Sequence, residues 1–292
     1  MNKVANVLLN VVITLVFIAG LGLLAFPFLS DLYIQSQMTG VIDEYQLEVQ
    51  ENPEEIERMI EDAHEYNRQI ATYGGYVPNR DFKVNDKGYS ELLSLGGSQV
   101  MGYVEIPAIS VNLPIYHTTD ELVLTQGAGH SQGTSLPVGS DNRGTAVHTV
   151  IAAHTGLTTA RMFDELDTLD IGDWFSLNVL GETLWYQVES VSVVEPDDTS
   201  DLKLVESRDV TTLVTCTPYG VNSHRLLVRG VRGDGPTEEY LDSISQMPLW
   251  QMLLIAAGIV IPILLIIVLI RRRKDTDPEK RDEGKVERDD QD

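Results

Sequence analysis

Two long apolar runs bracket this 292-residue chain and limit what the stretch between them can be. The first extends from about Val4 to Leu29, with few polar interruptions and Lys3 ahead of it. The second extends from Pro248 to Ile270 and ends at Arg271-Arg272-Arg273-Lys274. Either run, as a helix, can cross a hydrocarbon core of about 30 Å. The basic cluster is a stop-transfer pattern, and the positive-inside rule places it in the cytoplasm. The first run exceeds the apolar core of a signal peptide, and no small-x-small cleavage pattern follows Phe26-Pro27-Phe28, so it is expected to stay as an anchor. A two-pass membrane protein with both termini cytoplasmic then exposes the intervening segment outside. The expected division is an anchor over 1–30, accessory segments over 31–98, a β-rich domain over 99–235, a linker over 236–247, a second membrane helix over 248–270 and a disordered tail over 271–292.

Net charge is −23, which argues against nucleic acid as a partner and implies solubility with only weak attraction to anionic wall or lipid surfaces, so contact with membrane lipid is expected through the two apolar runs. The tail mixes both signs of charge and holds almost nothing apolar to offset its ordering entropy. With a single cysteine, no intramolecular disulfide exists, so an exported domain of this size depends on its own core.

Asn52-Pro53-Glu54-Glu55 reads as a helix start, with Asn52 as the cap and Glu55 completing a capping box. Ile56, Met59, Ile60, Ala63, Tyr66 and Ile70 follow at helical spacing, which predicts a helix over about 53–71 with one apolar face. Residues 73–90 hold turn formers and aromatics without a period and read as a loop. From Met101 the pattern becomes β. Strands are predicted at Met101–Pro107, Val111–His117, Thr145–Ala153, Trp174–Val179, Thr183–Val194, Val210–Cys216 and Arg225–Val231. So many short strands imply a sandwich or barrel. Short helical insertions fit at Thr119–Gln126 and Thr158–Leu169, and Gly127–His130 reads as a turn.

Cys216 ends a β-type run, Thr212-Leu213-Val214-Thr215-Cys216, and a Pro-Tyr-Gly turn follows it. A lone thiol at a strand end is either a buried filler or a reactive group, and a cation delivered by the next strand, Arg225, favours the second. A thiol with a free pKa of about 8.5 needs a base or an ion-pair partner at neutral pH. Among six histidines, His154 has the matching placement, at the end of the apolar strand Val150–Ala153. His148 lies upstream on the same strand. His130 suits a structural hydrogen bond to a turn, His224 faces away from Arg225, His64 lies on the accessory helix, and His117 follows a strand. Arg229, two residues past Arg225 and on the same face, is the competing cation. His148 and His154 alone make a poor metal site, with no carboxylate or cysteine beside them at ligand spacing, and no phosphate loop or dinucleotide fingerprint is present, so neither a metal nor another cofactor is expected.

These motifs resemble the sortases, specifically the pilus-assembling class C group. Thr212-Leu213-Val214-Thr215-Cys216-Thr217-Pro218-Tyr219-Gly220 matches that group's signature. His154-Thr155-Gly156-Leu157 matches its histidine segment, although Arg often stands where Thr155 is, and His224-Arg225-Leu226-Leu227-Val228-Arg229-Gly230 matches its arginine segment. Met101–Pro107, Leu113–His117, Gly127–Pro137 and Glu195–Leu202 resemble further segments, so the similarity covers about residues 40–232.

The resemblance implies a mainly β fold: a sortase-type eight-stranded β-barrel with short helices, an N-terminal helix and a lid, flanked by two transmembrane helices. It implies a cysteine transpeptidase that cleaves a Leu-Pro-x-Thr-Gly-like (LPxTG-like) sorting signal and transfers the acyl group to a pilin lysine, with pilin subunits as partners. Cys216 is the implied nucleophile, His154 the acid/base and Arg225 the oxyanion ligand. Alternatives are transfer to a peptidoglycan amine, hydrolysis by a cysteine peptidase, and a non-enzymatic β-domain for adhesion. Class C lids usually carry Asp-Pro-Phe or Asp-Pro-Trp; here Asp81-Phe82, without the proline, is the nearest match and marks the expected lid.

Overall fold

The computed structural model describes residues 3–78, 80–245 and 258. The expected second membrane helix and the tail therefore lie outside the described residues, Gly258 excepted. Among those described, one helix, near the N-terminus, is long and apolar enough to cross a membrane. This helix, α1 (Lys3–Glu51), continues without a break through the expected boundary at residue 30. Its apolar part shows side chains such as Leu15, Phe17, Leu24 and Phe28 exposed, a surface that suits lipid rather than water. Its later part packs on the barrel through buried Met38, Ile42 and Tyr45. The Tyr45 hydroxyl donates to the Met101 carbonyl (3.0 Å) and accepts from the Leu180 amide (2.7 Å).

The second helix, α2 (Pro53–Thr72), forms where the apolar spacing placed it. Met59, Ala63, Tyr66 and Ile70 are buried on its inner face. Asn67 exchanges two hydrogen bonds with the Leu136 backbone (3.0 and 2.7 Å), which fixes the helix's height on the barrel. Arg68 binds Glu61, Glu65 and Asp141 at 2.8–2.9 Å. The expected capping box is not made. Because α1 runs to Glu51, Asn52 sits between two helices, and its amide donates to the Glu48 carbonyl of α1 (2.8 Å) instead.

Eight strands close into a barrel in the order β1-β2-β3-β4-β7-β8-β6-β5. They are β1 (Val100–Ile106), β2 (Val111–His117), β3 (Ala128–His130), β4 (Val147–Ala152), β5 (Trp174–Val179), β6 (Glu182–Val194), β7 (Asp209–Thr217) and β8 (His224–Arg232). Period-2 alternation turns Phe175, Leu177, Leu184, Tyr186, Val188, Leu213 and Val228 into the core. Closure leaves no open sheet edge. A four-residue helix, α3 (Glu121–Leu124), follows β2, and the region over Thr158–Leu169 forms only a short 3-10 turn at Leu166–Thr168. The Gly127–His130 segment is strand β3 rather than a turn: three residues pairing parallel with β2 and antiparallel with β4 are too few to show a period. A separate helix, α4 (Glu238–Ser245), opens a second unit.

His130 is fully buried, and its Nε2 donates to the Ser135 carbonyl (2.9 Å) while its Nδ1 accepts from the Tyr89 hydroxyl (2.8 Å). That arrangement requires a neutral ring, and burial lowers its pKa from 6.5 to about 4. The unfolded ring takes up a proton near pH 6.5 and the folded ring only near 4. Stability is therefore full above that window and falls as the pH drops through it, by up to about 1.4 kcal/mol per pH unit. Urea midpoints are expected to be lower at pH 5 than at pH 7, with a smaller difference in His130→Gln. An equal difference in both proteins would remove His130 from the account.

Candidate active site

Cys216 lies one residue from the end of β7, and its register partner on β8 is Arg225. Directly opposed residues on an antiparallel pair hold their Cβ atoms about 5 Å apart. Two residues back on the same face is the pair Val214↔Leu227, and two further back Thr212↔Arg229. The turn between the strands is held by Val221 and Asn222 amides donating to the Pro218 carbonyl (3.0 and 2.9 Å). Cys216 itself is partly exposed.

β4 runs parallel to β7, with Ala152 level with Val214. The Ala153 amide then donates to the Val214 carbonyl (3.1 Å), and Thr215 Oγ1 donates to the Ala153 carbonyl (2.8 Å). His154 follows Ala153 directly, just past the end of β4 and on the side of β7 where Cys216 lies near its strand end. The structure thus brings Cys216, Arg225 and His154 to one end of three adjacent strands. His154 Nε2 is buried and makes no hydrogen bond, with Glu121 Oε1 of α3 standing 3.4 Å away. Glu121 escaped the sequence analysis because nothing in a solvent-facing glutamate marks it as a neighbour of a histidine 33 residues on.

The two cations of β8 differ. Arg229 Nε donates to Glu189 Oε1 (3.0 Å), and Glu189 also pairs with Arg208. The Arg225 Nη1 donates only to the Asn222 and His224 carbonyls (3.4 and 3.2 Å), and among the described residues no carboxylate pairs with it. Arg225 therefore keeps charge and donors for another group. His148 is satisfied by the Lys203 carbonyl (2.7 Å) and Thr212 Oγ1 (2.8 Å), and burial lowers its pKa. His117 is held between the Gln99 and Leu92 carbonyls (2.9 and 2.7 Å), His224 pairs with Glu195 (3.3 Å), and His64 is half-buried on α2.

Of Asp81 and Phe82, the expected lid pair, Asp81 is exposed and Phe82 packs toward α2. Phe82 is buried against Tyr66 of α2 and Tyr73 just past its end (ring centroids 5.8 and 5.6 Å), with the Arg80 guanidinium over the Tyr73 ring. Tyr76 instead packs on the cluster of Val150, Leu202 and Leu227, which Val214 also borders. Backbone contacts hold it there: the Val77 amide donates to the Gly133 carbonyl (2.8 Å) and the Leu204 amide to the Gly74 carbonyl (3.2 Å). Gly75 and Gly133 permit this approach, because added Cβ atoms would stand 2.5 Å from Leu204 and 2.4 Å from the Val77 carbonyl oxygen. The signal for Tyr76 was present as the Gly-Gly pair before it, but only the fold shows what the glycines approach.

A partly exposed thiol, an imidazole and an unpaired guanidinium meeting at strand ends on a rigid barrel form the equipment of a cysteine acyl-transfer enzyme. No group of three or more His, Cys, Asp or Glu side chains suited to a metal occurs among the described residues. The sequence profile of the sortase domain matches residues 104–232. Sortase C1 from Streptococcus agalactiae has a similar crystal structure, with a TM-score of 0.61 and 40% identity over 67% of this chain and 99% of that one. Sortase C from Clostridium perfringens, solved with the C-terminal cell wall sorting motif, gives a TM-score of 0.58 and 37% identity over 68% of this chain and all of that one. Sortase D of Bacillus subtilis is 29% identical over 137 residues, 46% of this chain and 64% of that protein. The chain belongs to the sortase family of cysteine transpeptidases, and its structural neighbours are class C sortases.

Proposed function

We propose that this chain is a membrane-anchored class C transpeptidase that joins pilin subunits through isopeptide bonds. The observation that carries the reading is the register of Cys216 opposite Arg225, with His154 directly following Ala153, whose amide bonds the Val214 carbonyl of the Cys216 strand. In the first step the Cys216 thiolate attacks the threonine carbonyl of an LPxTG-like sorting signal. Arg225 donates to the oxyanion, the Thr–Gly bond breaks, and the leaving glycine amine takes a proton from His154. In the second step a pilin lysine amine, deprotonated by His154, attacks the thioester. The C–S bond breaks and an isopeptide bond remains. Incubating the full-length protein with a pilin bearing the signal tests this: ladders of cross-linked pilin support it, and release of the free acid alone refutes transfer in favour of hydrolysis.

Tyr76, rather than Asp81 or Phe82, is the side chain we assign to the lid over this cleft. It packs on the cluster of Val150, Leu202 and Leu227, and Leu227 is the register partner of Val214, two residues before Cys216 on the same face. Tyr76→Ala is expected to speed alkylation of Cys216 severalfold with little change in stability. Phe82→Ala is expected to destabilise the fold by about 3 kcal/mol, through loss of a buried ring, and to leave the labelling rate of the folded protein within about twofold. The reverse pattern would return the lid to Phe82.

A further inference from the structure

Where α1 leaves its apolar run, it grips the loop that carries His154. Ser30 Oγ donates to the Thr159 carbonyl (2.9 Å), and Gln35 Nε2 donates to the Arg161 carbonyl (2.9 Å). Between them the Arg161 amide and Nε donate to Asp31 Oδ1 and Oδ2 (2.8 and 3.1 Å). Asp31 is the first acidic residue of the chain and follows the uncharged run directly, so this grip falls at the membrane boundary. Its side chain is 15% exposed against 71% for Arg161.

The gripped loop is internally stiff. Asp164 accepts from the Gly156 and Met162 amides (2.9 Å each), and the Phe163 amide donates back to the His154 carbonyl (3.0 Å). Residues 154–164 therefore move as one body, with His154 at its root. Ala160, Met162 and Phe163 anchor this body in the barrel core, whereas its side toward α1 is open. A cavity of about 410 Å³ lies there, lined by Pro27, Phe28, Leu157, Ala160, Arg161 and Tyr219 among others. Core packing holds one side of the loop, and on the other side its placement against α1 rests on these polar contacts, of which those of Asp31 are bidentate.

We propose that Asp31 is a positioning residue for His154, acting through Arg161, so that the membrane helix is part of the active-site framework as well as a tether. The proposal rests on the acid/base role given to His154 above. An exposed ion pair adds little to global stability, so its loss should alter geometry at the site while sparing the fold.

The test uses the full-length protein in phospholipid nanodiscs, with Asp31→Ala, Arg161→Ala, the double variant and Asp31→Glu. A sorting-signal peptide gives kcat and KM, iodoacetamide alkylation across pH reports the state of Cys216, and a thermal melt reports the fold. Asp31→Ala is expected to lower kcat about tenfold and Arg161→Ala about threefold, because the Arg161 backbone amide still donates to Asp31 in the latter, with KM within about twofold in both. The double variant should be no slower than Asp31→Ala alone, because loss of the Asp31 carboxylate already breaks both bonds to Arg161. The alkylation profile should shift in pH, Asp31→Glu should recover part of kcat, and Tm should change by no more than about 2 °C. Unchanged kcat and alkylation profile, multiplicative losses in the double variant, or losses explained by a lower folded fraction would overturn the proposal. His154→Ala keeps the two readings apart. If it is inactive while the Asp31 variants are normal, only the positioning idea falls; if it is fully active, the role of His154 falls first.

Discussion

Cys216→Ala is expected to abolish both cleavage of the sorting signal and cross-linking of pilin, while the barrel melts at nearly the wild-type temperature. Cys216 is the only cysteine, so no second thiol can take over the acyl group. The neighbouring hydroxyls of Thr215 and Thr217 are poor substitutes: Thr215 is buried and already donates to the Ala153 carbonyl. The cost to the fold is small because Cys216 is a short, partly exposed side chain near a strand end, outside the buried core cluster. Replacing its sulfur by hydrogen costs on the order of 1 kcal/mol. Gel analysis for covalent pilin ladders, with circular dichroism on the same sample, makes the comparison. Ladders formed by a folded Cys216→Ala protein would end the thioester mechanism.

The second large effect concerns the two charged partners. His154→Ala and Arg225→Ala are each expected to lower kcat by about 10²-fold or more, since one removes the proton carrier and the other the oxyanion donor. Arg229→Ala should act differently although Arg229 shares the strand, the face and the charge of Arg225. Its guanidinium is engaged with Glu189, so its loss should appear mainly in stability, with turnover changed by no more than a few-fold. His148→Ala likewise removes two structural hydrogen bonds, worth about 1 kcal/mol each. Parallel kcat measurements and melts on the four variants separate the groups. Equal kcat losses at Arg225 and Arg229 would show that the wrong cation has been assigned to the oxyanion.

The strands that build this site were readable within one or two residues. β5 was read at Trp174–Val179 and β2 at Val111–His117, where they occur, because alternating apolar residues bounded by turn formers leave a clear period. α2 was readable for the same reason at helical spacing. Cys216 and Arg225 could be placed near one another because a short turn joins their strands, and a hairpin sets its own register. The eight-strand closure came with the family resemblance rather than from any period, and β3 was too short to announce itself.

What the sequence determined by itself is local or compositional: an apolar N-terminal helix, the strand periods, a lone thiol at a strand end and the family its motifs belong to. The tertiary structure decided the pairings made across long separations. It placed Glu121 beside His154, gave Glu189 to Arg229 while leaving Arg225 without a carboxylate among the described residues, turned Phe82 into the α2 interface and packed Tyr76 on Val150, Leu202 and Leu227. It also tied Asp31 to Arg161, 130 positions away. The physical reason is that period and turn chemistry act over a few residues. Ion pairs, ring contacts and backbone approaches depend instead on which strands a closed barrel sets side by side, and in this barrel β4 meets β7 and β6 meets β8.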